Sequence, residues 1–224
     1  MGAALTLAPQ VPISETMREL KELQVARQAL ITDQIRLLNR IKTEVVGLVV
    51  QQGKARLALI KRQLRDVDGE IQTRIAAEKP LARAFEIIRS IPVLGAVSSA
   101  AVLAECPEIG TLNRKQVASL AGLAPMTRQS GQWKGKAFIQ GGRHHLRGAL
   151  YPGSSPGQAM PAIVAMRFNP DPGSSPGQAL KAKYQALRAA GKPAKIAIVA
   201  LMRKLIELAN ILVKNDRKWM PKGA

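Results

Sequence analysis

Leu20-Lys-Glu-Leu-Gln-Val-Ala-Arg-Gln-Ala-Leu30-Ile-Thr-Asp-Gln-Ile-Arg-Leu37-Leu-Asn-Arg-Ile41 is the stretch that decides the fold class. Leu20, Leu23, Leu30, Leu37 and Ile41 recur at heptad-like spacing with Arg, Glu and Gln at many positions between them, the pattern of an amphipathic helix. A second run, Leu57, Ile60, Leu64, Val67, Ile71 and Ile75, advances by steps of three and four, and Gly47 and Gly53 stand between the two runs. Together they predict an antiparallel helical hairpin over residues 14–80, ending near Pro80. Such a coiled-coil arm serves dimerisation or spans nucleic acid; a local helical pair with no partner is the plainer reading. Asp66, Asp68 and Glu70 lie two residues apart, and such steps do not share a helix face, so a solvated surface is expected there rather than a metal site.

The rest of the chain supports a mainly α fold. Of 224 residues, 46% are hydrophobic and only 3% aromatic, so aliphatic side chains must fill the interior, which suits helix on helix. The single cysteine, Cys106, excludes an intrachain disulfide and a multi-cysteine zinc site, and a buried thiol is expected. Met1 to Pro12 has no basic n-region and is broken by Pro9 and Pro12, so neither a signal peptide nor a membrane span is evident. A cytoplasmic, nucleoid-associated protein fits.

Charge points to the partner. The formal net charge is +19, and its distribution is uneven: residues 1–79 hold 13 basic and 9 acidic side chains (net +4), residues 80–224 hold 21 and 6 (net +15). Nucleic acid is the polyanion such a surplus suits, because each Lys or Arg set on a phosphate releases condensed counterions. Within the basic half, Ile91-Pro-Val-Leu-Gly-Ala-Val, followed by Ala100, Ala101, Leu103 and Ala104, reads as a helix-hairpin-helix element. Gly95 would bring backbone amides to a phosphate, although Val93 stands where such a turn usually carries its first glycine; a plain helix-packing joint is the competing reading. Further on, Arg128, Lys134, Lys136, Arg143 and Arg147 surround Ser130-Gly131 with no acidic residue between them. Cations so placed orient a scissile phosphate and stabilise its transition state, while Ser130 has the chemistry of a nucleophile. From these residues alone, a loop that only grips phosphate is the alternative. His144 and His145 read as phosphate or solvent contacts rather than general acids or bases.

Leu120-Ala-Gly-Leu-Ala-Pro125, Arg128-Gln-Ser-Gly131, Trp133-Lys-Gly-Lys136 and Gly141-Gly-Arg143, with Ser90-Ile-Pro-Val-Leu-Gly95 upstream, resemble the C-terminal half of the DEDD-type insertion-sequence transposases (the IS one-ten family). The resemblance runs from Arg89 to Pro221 and more loosely over the arm. It implies DNA transposition, with Ser130 in the position of a nucleophile that links covalently to DNA, a guide RNA, and a homo-oligomer joined through the arm. Family members also carry an N-terminal RuvC-like domain whose four acidic residues bind magnesium. No counterpart is seen in this sequence, so residues 1–13 read as a linker remnant and the chain as a truncated copy, its enzymatic activity in doubt without a complementing acidic domain to supply magnesium. A noncatalytic nucleic-acid-binding remnant and a structural coiled-coil protein are the alternatives.

Residues 81–224 are expected to form a compact basic helical domain with a small irregular or β-hairpin segment. It is interrupted twice by the same octapeptide, Pro152-Gly-Ser-Ser-Pro-Gly-Gln-Ala159, repeated at Pro172 to Ala179. The octapeptide has no apolar face, so both copies read as inserted loops, 152–159 and 172–179, in the manner of a palindromic DNA element landing in frame. Removing both restores the family pattern without a gap. Helix is predicted to stop at about Tyr151, to resume over Leu180 to Arg188, to turn at Gly191-Lys-Pro193 and to run from Ile196 to Val213, with Arg203 and Lys204 on the polar face.

Overall fold

A computed structural model describes residues 14–91, 94–127, 129–130, 132–135, 137–151 and 176–220. The chain is mainly helical, as its periodicity requires. Helices α1 (Glu15–Ile41) and α2 (Gly47–Ala77) form the hairpin; α3 (Lys79–Arg89), α4 (Ala96–Glu105) and α5 (Arg114–Leu120) follow it. Four two-residue strands come next: β1 (Pro125–Met126), β2 (Gln129–Ser130), β3 (Trp133–Lys134) and β4 (Phe138–Ile139). They are followed by α6 (His144–Leu150), α7 (Pro176–Ala189) and α8 (Ala194–Lys214).

Ser14 caps α1, its hydroxyl accepting from the Met17 amide at 3.3 Å. The hairpin is antiparallel, as three cross-contacts show: Glu19 with Arg74, Arg27 with Asp68, and Ile41 against Gly53. Gly53 therefore lies within α2 and not between the helices. A Cβ there would come within 2.7 Å of Ile41 Cγ1, so the glycine lets the two backbones approach near the turn. The buried seam of α1 is Leu20, Arg27, Ile31, Gln34 and Leu37, so two polar side chains occupy seam positions among the aliphatic ones. Arg27 Nε reaches Asp68 Oδ1 at 2.6 Å, and Arg74 binds Glu70 at 2.7 Å as well as Glu19 at 2.6 Å. Asp68 and Glu70 thus bind arginines while remaining partly exposed to solvent.

One core runs through the body and includes the near end of the hairpin: Leu20, Ile71 and Ile75 belong to the same cluster as Phe85, Ile88, Leu103 and Leu205. Its centre is α8, where Ala197, Leu201, Met202, Leu205, Ile206, Ala209 and Leu212 are buried against α3, α5, α6 and α7. Arg203 lies beside this stripe and binds Glu207 at 2.9 Å; Arg114 binds the same carboxylate at 2.7 Å. Asn210, 1% exposed, accepts from the Gly110 amide at 2.8 Å and donates to the Leu112 carbonyl at 2.7 Å, tying the loop before α5 to α8. Cys106 is buried, and desolvation pushes its thiol up to about 12, beyond useful reactivity.

Helix α6 ends at Leu150, where Pro152-Gly153 was expected to stop it. The first octapeptide copy lies outside the described residues. Of the second, Pro176 to Ala179 form the first turn of α7, so this copy is not wholly the loop its composition suggested. Proline suits a first helical turn, where an amide would be without an intrahelical partner, and that explains the difference. No described helix is long and apolar enough to cross a membrane.

Candidate nucleic-acid interface

The stretch richest in candidate residues is built on the end of α5. Asn113 begins that helix with a capping box: its side chain accepts from the Gln116 amide and the Gln116 side chain accepts from the Asn113 amide, both at 2.9 Å. The helix ends at Leu120-Ala-Gly-Leu123 in a Schellman turn, with the Leu123 amide on the Ala118 carbonyl and the Gly122 amide on the Ser119 carbonyl, each at 2.8 Å. Gly122 has φ +64°, and Leu123 is buried.

From that turn the chain enters an interrupted hairpin. Pro125 pairs with Ile139 and Met126 with Phe138; further out, Gln129 pairs with Lys134 and Ser130 with Trp133. Two residues, 127–128, separate the pairs on the outgoing strand and three, 135–137, on the returning one. The two described pairs are therefore offset in register by one residue. Ser130 thus stands exposed on the outermost described rung, paired with Trp133.

The base of the hairpin is closed by Gly141-Gly-Arg143. Gly141 and Gly142 have φ +68° and +67°. A Cβ on Gly142 would overlap the Gly122 amide nitrogen and come within 2.5 Å of Gly122 Cα and 2.7 Å of the Leu120 carbonyl oxygen. The two glycine turns touch backbone to backbone, and the Arg143 amide donates to Leu120 O at 2.7 Å. The Arg143 guanidinium holds Glu108 through two bonds of 2.7 Å and donates to the Glu105 carbonyl at 2.7 Å. These hydrogen bonds hold the Glu108 carboxyl below the usual carboxylate range. Arg147 donates to the Gly141 carbonyl at 2.8 Å.

The candidates therefore divide. Arg143 and Arg147 fasten the hairpin base, a task in which their fork of donors is used on the protein itself. Lys134 falls in β3 opposite Gln129, while Arg128 and Lys136 lie outside the described residues. Gly95 caps α4 with φ −73°, a conformation open to any residue, and its carbonyl accepts from the Ser99 amide and hydroxyl, each at 2.9 Å. Val93 lies outside the described residues. His144 and His145 are exposed at the start of α6 with ring centroids 3.8 Å apart. Glu108 went unnoticed in the sequence; the only signal was an acidic residue 35 positions before an arginine, which carries no periodicity.

Residues 85–172 match the transposase IS116/IS110/IS902 family. The match supports a role in DNA transposition, and with it an interaction with DNA. It begins at Phe85 in α3 and takes in both glycine turns and the strands β1 to β4, while α1 and α2 lie outside it. No curated protein matches the chain.

Proposed function

We propose that this chain is the DNA-binding, strand-transferring part of an insertion-sequence transposase, with Ser130 as its nucleophile. The observation that carries this reading is the placement of Ser130: exposed on the outer rung of a hairpin whose base is locked by Gly122, Gly142 and the Arg143–Glu108 pair, inside the segment that matches a transposase family. A rigid base under an exposed tip presents a hydroxyl to a DNA backbone at a fixed angle. In the reaction, Ser130 Oγ attacks phosphorus, an Oγ–P bond forms and a P–O bond to the sugar breaks. The departing sugar oxygen takes up one proton as the serine gives up one. Arg128, Lys134 and Lys136 are the cations this reading assigns to the phosphate.

Magnesium does not fit the described residues: no group of three or more His, Cys, Asp or Glu could hold a metal ion. A complementing acidic domain would hold the ion, a guide RNA would select the target, and the hairpin arm would join protomers. The second reading, a noncatalytic DNA-binding protein, draws on the commitment of Arg143 and Arg147 to the hairpin base, which leaves fewer cations for a transition state.

The test compares wild type with Ser130→Ala, each mixed with the family's acidic domain, magnesium and end-labelled insertion-sequence DNA. A protein–DNA adduct that survives denaturation in wild type and vanishes in the variant, with affinity within about twofold, is expected. An adduct persisting in the variant removes Ser130 from the chemistry.

A further inference from the structure

The whole-arm charge hides a division that the antiparallel pairing reveals. In the far half of the hairpin, residues 29–65, eight basic side chains stand against two acidic ones, net +6. In the near half, residues 14–28 and 66–78, four stand against seven, net −3. Between Glu44 and Asp66 there is no acidic residue at all, and the five cations of that interval, Lys54, Arg56, Lys61, Arg62 and Arg65, are all exposed. None of the five forms an ion pair among the described residues, whereas Arg27 and Arg74 in the near half bind Asp68, Glu70 and Glu19. Lys54, Lys61 and Arg65 share one face, since steps of seven and eleven return to the same side of a helix, and they span about 16 Å at 1.5 Å per residue.

We propose that this outer face of α2 is a second nucleic-acid surface, which lays Lys54, Lys61 and Arg65 along the phosphate backbone of a duplex. Projected on the duplex axis, a row of about 16 Å spans roughly five phosphates of one strand at about 3.4 Å of axial rise per phosphate. An anionic membrane is the less suitable polyanion. The apolar side of α2 faces α1, and of the exposed aliphatic residues of the arm Val45, Val46, Leu48 and Val49 sit at its far end, Val25 is on α1, and Leu59 lies on the side of α2 away from Lys54, Lys61 and Arg65, so none forms an apolar face parallel to the cations. The near half, being acidic, repels the same backbone, so the arm would engage the duplex only by its far end. This surface lies outside the family-matched segment and does not depend on the chemistry of Ser130.

The experiment measures affinity of the full chain for 30-base-pair DNA and RNA duplexes of one sequence, as a function of salt. The variant Lys54→Gln/Lys61→Gln/Arg65→Gln is compared with the charge-retaining Lys54→Arg/Lys61→Arg/Arg65→Lys. At about 0.9 in slope per phosphate neutralised, the glutamine variant flattens the log–log salt dependence by about 2.7 on DNA, so wild type loses about 40-fold more affinity than this variant between 50 and 200 mM. The charge-retaining variant keeps the wild-type slope. A response to DNA, to RNA or to both identifies which duplex the surface takes. An unchanged slope on both duplexes, or equal flattening in the charge-retaining variant, overturns the proposal. It is also overturned if the glutamine variant loses only binding to phosphatidylcholine–phosphatidylserine vesicles, and that result would assign the face to a membrane. The parallel variant Lys134→Gln/Lys136→Gln reports on the hairpin separately, so failure at one surface is distinguishable from failure at the other.

Discussion

Gly141 and Gly142 are adjacent, have nearly the same positive φ, and are predicted to respond differently to the same substitution. Gly141→Ala meets nothing within 4 Å, so its cost is that of a left-handed L-residue, about 1–2 kcal/mol. Gly142→Ala adds a Cβ that overlaps the Gly122 backbone and crowds Leu120 O, atoms that cannot rotate away. Forcing the two turns apart adds about 1–3 kcal/mol, and stretching the bond from the Arg143 amide to Leu120 O adds about 1 kcal/mol. The total for Gly142→Ala is about 3–6 kcal/mol. For a chain of this size 1 kcal/mol corresponds to about 2–4 °C, so Gly141→Ala lowers Tm by about 2–8 °C and Gly142→Ala by about 6–24 °C. Thermal unfolding followed by circular dichroism measures both. Hydrogen exchange adds a local readout, because amides of 125–139 lose protection in the second variant and keep it in the first. Equal Tm losses would show that the contact between the turns carries no stability, and the locked hairpin base would have to be abandoned.

Other perturbations test separate parts of the structure. Asn210→Leu leaves the Gly110 amide and Leu112 carbonyl without their partner and is expected to cost about 2–5 kcal/mol in urea unfolding; a loss below about 1 kcal/mol would mean that water replaces the side chain. The Glu108 carboxyl is held low by hydrogen bonds from Arg143; at Glu207, burial pushes upward but the bonds from Arg114 and Arg203 outweigh it. Both bind protons less readily folded than unfolded. Their contribution is therefore complete above the ordinary value of 4.5 and is lost as pH falls through their lower folded values. Tm should fall less steeply below pH 4.5 in Glu108→Gln/Glu207→Gln than in wild type, and parallel curves would contradict the pairing. Arg27→Met removes a cation from the α1 seam and strands Asp68, so it is expected to destabilise the hairpin more than Arg27→Met/Asp68→Leu does, as a double-mutant unfolding cycle can show.

The helices were legible because their signal is local: Leu20 to Ile41 and Leu57 to Ile75 repeat every three or four residues whatever else the chain does. Arg27 and Gln34 broke that reading, since a polar residue looks like surface until its partner, Asp68 in the case of Arg27, is brought 41 positions back along an antiparallel helix. Gly53 misled in the same way, as a turn signal that serves a close helix crossing. The hairpin bearing Ser130 was legible in outline. Its locked base was not, because Gly122 with Gly142 and Glu108 with Arg143 are contacts between segments whose spacing follows no period. The bonds of Arg143 and Arg147 within the protein were hidden because the sequence between them and Ser130 holds no acid, whereas the Arg143 partner Glu108 sits upstream on the other side of α5 and Arg147 bonds the Gly141 carbonyl. The polarity of the arm was hidden by counting charge along the chain, and it emerges only when the chain is folded back at residues 42–46.

The central claim is that the hairpin tip meets DNA. A photo-crosslinking amino acid at exposed Gln132, next to Ser130, tests it directly, with the same group at exposed Ala26 in the acidic half of the arm as control. Illumination with duplex DNA followed by mass spectrometry is predicted to yield crosslinked nucleotide at position 132 and little at 26. Equal yields at both positions, or none at 132 while DNA is bound, would contradict the account.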